Sequence, residues 1–215
     1  MSRAALPCPG DPQCVPGATG TFQSRNVASA RIYGIEAGAS WRMYGAVVVE
    51  PREGYPTKVD REYVVIQSEF YAKPDPARKI GKAPLYVLDT AKLRSSQPTH
   101  TVFNGVHNGM VRKPLMAKPG ERVRLFVLNV GPSKTSSFHI VGTIFDNAYP
   151  FADLTPGHAF HGVQTVTVPA GGGGVFDVKI DKPGLYPFVS HAFAAVDQGQ
   201  VGLLKVGNVA GTMSH

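Results

Sequence analysis

Histidine is the residue type in this chain that is best suited to metal binding or proton transfer. Imidazole is a common metal ligand, and it gains or loses a proton near neutral pH. The sequence contains seven histidines: His100, His107, His139, His158, His161, His191 and His215. No HxH or HxxxH pair occurs, and the shortest spacing is that of His158 and His161 in a predicted loop. Spacing alone therefore defines no closed metal site, and each lone histidine is first interpreted as a hydrogen-bonded or solvated side chain.

The two cysteines, Cys8 and Cys14, flank a Pro- and Gly-rich stretch near the N-terminus. A disulfide between them is sterically easy if the compartment is oxidising. They do not combine with histidines in the Cys-and-two-His pattern of a blue-copper centre. The sequence leaves the redox state of this pair open.

Length and composition predict a folded chain rich in strands. Of the 215 residues, 43% are apolar and 17% are charged, a balance that can bury a core. The 24 glycines and 18 prolines suit short strands joined by tight turns, because glycine supplies positive φ and proline breaks helices. An all-β fold is therefore expected.

Charge and hydropathy narrow the range of partners. The net charge is +7, but lysine and arginine are scattered with no basic run longer than a pair, which argues against nucleic acid. We interpret the surplus as solubility with a mild attraction for small anions. No apolar run reaches the roughly 18 residues of a membrane span, and the N-terminus lacks the charged-then-apolar order of a signal peptide.

Strand patterns dominate from residue 43 onward. Residues 1–42 show no sustained period and are expected to be irregular. Two buried strands are predicted at 44–50 and 62–68, with a polar linker between them. Residues 72–98 are expected to be loop-like, apart from a short helix near 89–95. A ladder of further strands is predicted at 101–104, 122–129, 137–145, 163–169, 174–180, 184–191 and 200–206.

One of these segments indicates the kind of sheet. Phe176, Val178 and Ile180 alternate with Asp177 and Lys179. This is the pattern of a strand with one face in a core and the other in water. Strands at this spacing without intervening helices are typical of a Greek-key β-sandwich or barrel.

An ordered series of motifs resembles a known family. The motifs are FNG at 103–105, KPGERV at 118–123, GP at 131–132, SSFHIVG at 136–142, FD at 145–146, VPAG at 168–171 and PGLYPFVSH at 183–191. Together they resemble the C-terminal cupredoxin domain of copper-containing nitrite reductases, within the multicopper oxidase family. Residues 43–51 and 59–63 resemble the end of that family's first domain, so the resemblance covers about 43–207.

The resemblance implies a cupredoxin-like Greek-key β-sandwich or barrel with a defined organisation. Residues 1–42 are the irregular N-terminal segment, and 43–60 are a remnant of the first cupredoxin domain with its linker. Residues 61–208 are the second cupredoxin domain, of the multicopper oxidase type, and 209–215 are a tail.

The resemblance also implies a site. In the family, nitrite binds at a type 2 copper that lies between subunits of a homotrimer. His191 matches the ligand from the second domain, and His139 matches a histidine that holds the water and proton network without binding the metal. Val141 matches the apolar residue that shapes the nitrite pocket. Copper is thus the implied cofactor, and nitrite or another small anion is the implied ligand.

The sequence departs from the family in its first-domain ligands. Met43 matches the methionine of the type 1 copper, but residues 23–42 contain no histidine or cysteine, and no histidine precedes His100. A type 1 site is therefore expected to be absent, and the chain by itself is expected to have little or no activity. The implied partners are other copies in a homotrimer or a separate first-domain chain. The implied location is periplasmic or secreted, with no signal peptide in this chain.

Two other interpretations stay open at this stage. The chain can instead be a copper-free cupredoxin that serves as a structural or binding subunit and needs a partner chain. Alternatively, a different copper centre can use His100, His107, His158 or His161, which are not ligand positions in the family.

Overall fold

The computed structural model describes residues 27–33 and 44–210. Met43, Cys8, Cys14 and His215 lie outside these residues. The elements are β1 (Val27–Tyr33), β2 (Ala46–Pro51), β3 (Arg61–Phe70), β4 (Ala72–Ile80), β5 (Ala83–Leu88), α1 (Thr90–Arg94), β6 (His100–Phe103), α2 (Gly109–Arg112), β7 (Leu115–Ala117), β8 (Arg122–Asn129), β9 (Ser136–Ile140), β10 (Asn147–Pro150), β11 (Thr165–Val168), β12 (Gly173–Lys179), β13 (Gly184–Ser190), α3 (Ala194–Asp197) and β14 (Val201–Val206). None of the helices in the described part of the chain is long and apolar enough to cross a membrane.

The chain divides into two units. The described residues of the smaller unit are 27–31 and Val47–Pro56, and most of the two-stranded sheet of β1 and β2 belongs to it. β1 lies in the N-terminal stretch that was expected to be irregular. Its alternating apolar positions are Ala28, Ala30 and Ile32, and small alanines give only a weak two-residue period in the sequence.

The larger unit contains a β-sandwich. One sheet, the β8 sheet, has the order β10-β12-β8-β3-β6, and the other, the β9 sheet, has the order β11-β9-β13-β14-β7. β3 pairs with β8 in parallel, as β7 does with β14, and the other pairs in the two sheets are antiparallel. The predicted all-β architecture is confirmed.

Phenylalanine rings fill the space between the two sheets. Phe138 of β9 is fully buried, and its ring contacts four others at centroid distances from 5.3 to 6.4 Å: Phe103, Phe145, Phe176 and Phe188. Burial of one such side chain stabilises the fold by roughly 1.5–3 kcal/mol. This cluster therefore holds β9 and β13 in place from the core side.

A glycine allows one of these rings to fit. Gly202 of β14 is paired with Phe188 of β13, and a Cβ atom at position 202 would lie 2.1 Å from the Phe188 ring. No side chain can occupy that space without moving the ring. β13, which leads directly into His191, is thus fixed against β14.

Three segments differ from the sequence-based expectations. Residues 72–98 were expected to be loop-like, but they contain the β4–β5 hairpin. β4 was missed because Pro74 and lysines interrupt the apolar alternation of a strand. The two strands are nevertheless paired, with a register shift between Pro74 and Lys79. β9 ends at Ile140 instead of residue 145, since Gly142 adopts a φ of +79° and the amide of Thr143 turns back to the Ile140 carbonyl at 3.2 Å. The short strands β7 and β10 were not predicted.

The predicted short helix is confirmed as α1. Asp89 precedes it, and one of its carboxylate oxygens accepts hydrogen bonds from the amides of Ala91 and Lys92, both at 3.1 Å. A side-chain oxygen at this position satisfies amides that have no partner within the first turn.

A buried ion pair lies on the β8 sheet. Arg124 and Asp177 are opposite each other on β8 and β12, and they form two hydrogen bonds at 2.8 and 2.9 Å. Their side chains are 2% and 0% exposed. Arg124 also donates to the carbonyl of Thr57 at 2.8 Å, so the pair fixes the segment that leads into β3.

We predict that Asp177→Asn strongly destabilises the larger unit, because it removes the buried carboxylate that accepts two hydrogen bonds from Arg124 and leaves only the more distant Glu62 carboxylate at 3.8 Å. The expected loss in the free energy of unfolding is about 3–5 kcal/mol. Urea denaturation followed by circular dichroism measures it. The matched control is Asp181→Asn, whose ion pair with Lys179 is largely exposed and is expected to contribute less than about 1 kcal/mol. Equal effects of the two substitutions would contradict this account.

Candidate functional site

Three strands position the predicted site residues. β9 lies between β11 and β13, so His139 is opposite Thr165 on one side and Val189 on the other. His191 directly follows β13, and its amide donates to the Ser137 carbonyl at 2.8 Å, which extends the same register by one pair.

Alternation then decides which side chains share a face. Residues two apart on a strand point to the same side. Val141 continues the register of β9, since its amide donates to the Pro187 carbonyl at 2.7 Å. His139, Val141 and His191 are therefore brought to one face of the β9 sheet, as the predicted roles require.

This face is the one directed away from the core. The intervening residues Phe138, Ile140 and Phe188 are fully buried between the sheets. On the outer face, Val111 of α2 and Val196 of α3 pack against a separate apolar cluster of Val189, Val201 and Leu203. The two helices cover the β13–β14 side of this face.

The two histidines are neighbours in space. The ring centroids of His139 and His191 are 5.2 Å apart, with their planes at 43°. His139 is buried with 9% of its surface exposed, whereas His191 is exposed to solvent. Phe193 is a second ring beside His191, at a centroid distance of 6.2 Å, and it is 69% exposed.

One hydrogen bond assigns the protonation of His139. Its Nδ1 lies 2.7 Å from the backbone carbonyl of Gln164. A carbonyl can only accept, so Nδ1 carries the proton and donates, and the hydroxyl of Thr165 lies 3.4 Å away on the same side. In the neutral ring the lone pair is therefore on Nε2, which can accept a proton or bind another ligand.

The site also has an apolar component. Val141 is 44% exposed, and it lies beside Pro187 on the same face as the histidines. Val141 thus presents an exposed apolar side chain two residues from His139 on this face. Val141 is where the family resemblance placed the residue that shapes the pocket.

The donor set suits copper but is incomplete. Imidazole nitrogen is a good ligand for copper, and a stable mononuclear site uses three or more protein ligands. Among the described residues, no group of three or more His, Cys, Asp or Glu side chains could hold a metal ion. His191 alone therefore cannot hold copper, and other groups must complete a site around it.

The other described histidines lie elsewhere. Nδ1 of His158 is 2.7 Å from Oδ2 of Asp153, and this hydrogen bond holds the pKa of the Asp153 carboxyl well below its usual range. Nδ1 of His161 is 3.3 Å from the Asp146 carbonyl. His100 and His107 form a pair of their own, with ring centroids 5.4 Å apart.

The structure adds residues that sequence reasoning missed. Gln164 and Thr165 orient His139, and Phe193 contacts His191, but neither role has a signal in the local sequence. A cavity of about 260 Å³ also lies beside the His191 segment, with Ser190 and Ala192 in its lining together with Lys134. Its walls come from separate segments, so only the fold brings them together.

Comparisons with known proteins agree in pointing to one family. The chain is 43% identical over 168 residues to the copper-containing nitrite reductase of Neisseria meningitidis, a match that covers 76% of this chain and 41% of the relative. The chain thus spans about two fifths of the length of the curated relatives that it matches most strongly. No protein-family model matches it.

Solved structures give the same answer for the fold. The Cu-containing nitrite reductase of Thermus scotoductus superposes with a TM-score of 0.63 at 28% identity, over 78% of this chain and 37% of the other. The copper nitrite reductase of Nitrosomonas europaea gives 0.62 at 27% identity, over 78% of this chain and 56% of the other. Sequence and fold together confirm that this chain is related to copper-containing nitrite reductases and has their cupredoxin-like fold.

Proposed function

We propose that the chain is the second-domain half of a copper-dependent, NO-forming nitrite reductase. In this proposal residues 61–208 are the second cupredoxin domain, and 43–60 are what remains of the first. His191 binds a type 2 copper at a contact between subunits, His139 serves the proton network, and Val141 shapes the nitrite pocket. The observation that carries the proposal is the juxtaposition of His139 and His191 on one exposed face.

The reaction defines what these residues must do. Nitrite takes up two protons and one electron to give nitric oxide and water. Copper, when bound, supplies the electron and a Lewis-acid site for the anion. His139 holds a proton donor or a water at Nε2, because its Nδ1 is occupied by the Gln164 carbonyl.

His191 fits the role of a shared ligand because its ring is exposed. A ligand that completes its coordination in another chain must lie at the surface of its own chain. Val141 and Phe193 border the same face and expose 44% and 69% of their surfaces. A neighbouring subunit that covers this face removes apolar area from water and excludes bulk water from the copper site.

The proposal makes activity dependent on a partner. The missing ligands come from the first domain in the family resemblance, and the described residues offer two imidazoles at this face. The partner is a separate chain with a first cupredoxin domain, and the assembly is a trimer. The net charge of +7 favours the approach of nitrite. The proposed location, which the family resemblance supports, is the periplasm or the outside of the cell.

A second candidate function is a copper-free cupredoxin that acts as a structural or binding subunit. The observation that favours it is the lack of a three-ligand group among the described residues. The two functions differ in whether the partner-bound form holds copper at His191.

A chimera tests the proposal. The first cupredoxin domain of the Neisseria meningitidis relative is fused ahead of residues 43–210, and nitric oxide release from nitrite is measured with a reduced electron donor. We expect the unfused chain to be inactive and the copper-loaded chimera to be active. His191→Gln in the chimera should lower the rate at least about 100-fold. Loss of an outer-sphere partner of a metal ligand already lowers activity by about 10–100-fold, and loss of the ligand itself should lower it further.

The matched control is His158→Gln, which removes an exposed histidine outside the site and should leave the rate unchanged. A His191→Gln chimera as active as its parent would overturn the proposed role of His191. An active, copper-loaded chain without the added domain would overturn the requirement for a partner.

The protonation of His139 gives a test that needs no copper. We predict that neutral His139 is protonated at Nδ1, because the Gln164 carbonyl accepts from that atom. Nitrogen-15 chemical shifts of the imidazole in the labelled chain at pH 8 distinguish the two tautomers. Thr165→Val removes the hydroxyl at 3.4 Å but not the carbonyl, so the tautomer should persist. A proton on Nε2 in the wild-type chain would contradict the assignment.

A further inference from the structure

His100 and His107 form a second pair of imidazoles, apart from the face that carries His139. His100 begins β6, and His107 lies in the turn that follows the strand. Their ring centroids are 5.4 Å apart with the planes at 44°, and both residues are exposed to solvent. Neither residue has a role in the site proposed above.

A single backbone segment holds both members of the pair. Gly199 has a φ of +103°, and a Cβ atom there would lie 2.8 to 3.0 Å from atoms of the His107 ring. Only glycine lets the ring lie this close to the backbone. Next to His100, Thr101 donates two hydrogen bonds to Gln198. Its amide donates to the backbone carbonyl at 3.3 Å, and its hydroxyl donates to the side-chain oxygen Oε1 at 3.0 Å. The His107 ring and the backbone next to His100 are thereby held by the adjacent residues 198 and 199.

The imidazole nitrogens of this pair are available. Among the described residues, no protein atom forms a hydrogen bond to the ring of His100 or of His107, whereas Nδ1 of each of His139, His158 and His161 has an acceptor. In its neutral form each ring offers one nitrogen lone pair to a ligand.

The spacing of the rings suits chelation. Two imidazoles that bind one ion at about 2.0–2.1 Å have ring centroids roughly 4.5–5 Å apart, from the right angles of a tetragonal Cu²⁺ site to the wider angles of a tetrahedral one. The observed 5.4 Å is close to this value, so small rotations of the two side chains can bring the nitrogens to a common ion. A site already near the required geometry loses little entropy on binding.

Repulsion by the nearby Arg112 opposes the binding of a cation at this site. It is weak in solvent, about 1 kcal/mol per pair of unit charges even at 4 Å in water. Coordination by two neutral imidazoles therefore outweighs it.

We propose that His100 and His107 form a second, exchangeable site for a divalent transition-metal ion, with a preference for Cu²⁺ and with water completing the coordination. Nitrogen ligands favour Cu²⁺ over Zn²⁺ and the other divalent ions of the first row. The site is exchangeable because it has two protein ligands, so a chelator removes the ion. Its occupation ties the turn after β6 to β6 itself.

Titration of the full chain with Cu²⁺ tests the site in a His191→Gln background, which removes copper binding at the other face. We expect one equivalent whose electron paramagnetic resonance spectrum contains couplings to two imidazole nitrogens. His100→Gln or His107→Gln should each raise the Kd at least about ten-fold and remove one nitrogen coupling. His161→Gln is the matched control and should change neither quantity. Zn²⁺ should compete, with lower affinity.

Gly199→Ala provides a separate test, because it displaces the His107 ring without removing either imidazole. It should weaken Cu²⁺ binding while circular dichroism shows a folded chain. The proposal is overturned if neither His100→Gln nor His107→Gln changes the Kd, or if the spectrum is unchanged in both. Since His191 is already replaced, these outcomes are independent of the copper site proposed for the other face.

Discussion

The hydrogen-bonded register between β9 and β13 is the constraint on which the site depends. It places Phe188 opposite Ile140 and Val189 opposite His139, and it continues through the bond from the His191 amide to the Ser137 carbonyl. A shift of one residue in either strand would exchange its two faces. The histidine of that strand would then point into the apolar core, and a phenylalanine would point outward. Core packing and site geometry are thus fixed by the same set of backbone bonds.

The remaining structure supports this register from both sides. On the core side, the ring of Phe138 contacts four other phenylalanines, and Gly202 leaves room for Phe188. On the outer side, α2 and α3 cover the valines and leucine of β13 and β14, while His191 stays exposed. The exposed part of the outer face is therefore where the chemistry lies and where a partner can approach.

The sequence predicted those features that depend on local pattern. Alternation of Phe176, Val178 and Ile180 with Asp177 and Lys179 marked β12, and Asp89 marked the start of α1. Prolines and lysines hid β4, and β9 was predicted too long because the apolar run continues past Gly142. The functional roles of His139, Val141 and His191 came from resemblance to a family.

Long-range geometry could not be predicted from spacing. The approach of His139 to His191 depends on strand pairing between distant segments, and the carbonyl that orients His139 belongs to Gln164 on a third segment. The approach of His107 to His100 depends on the backbone conformation at Gly199, which follows α3. Met43 lies outside the described residues, so its match to a type 1 copper position stays a prediction.

The most direct test of the account is the location of copper in crystals of the chimera, measured by anomalous scattering at the copper absorption edge. The account predicts a peak about 2 Å from an imidazole nitrogen of His191, at a contact with a neighbouring subunit. That peak should be lost in the His191→Gln chimera and kept in the His158→Gln chimera. Copper-loaded crystals with no peak at His191, in an assembly that still reduces nitrite, would contradict the account.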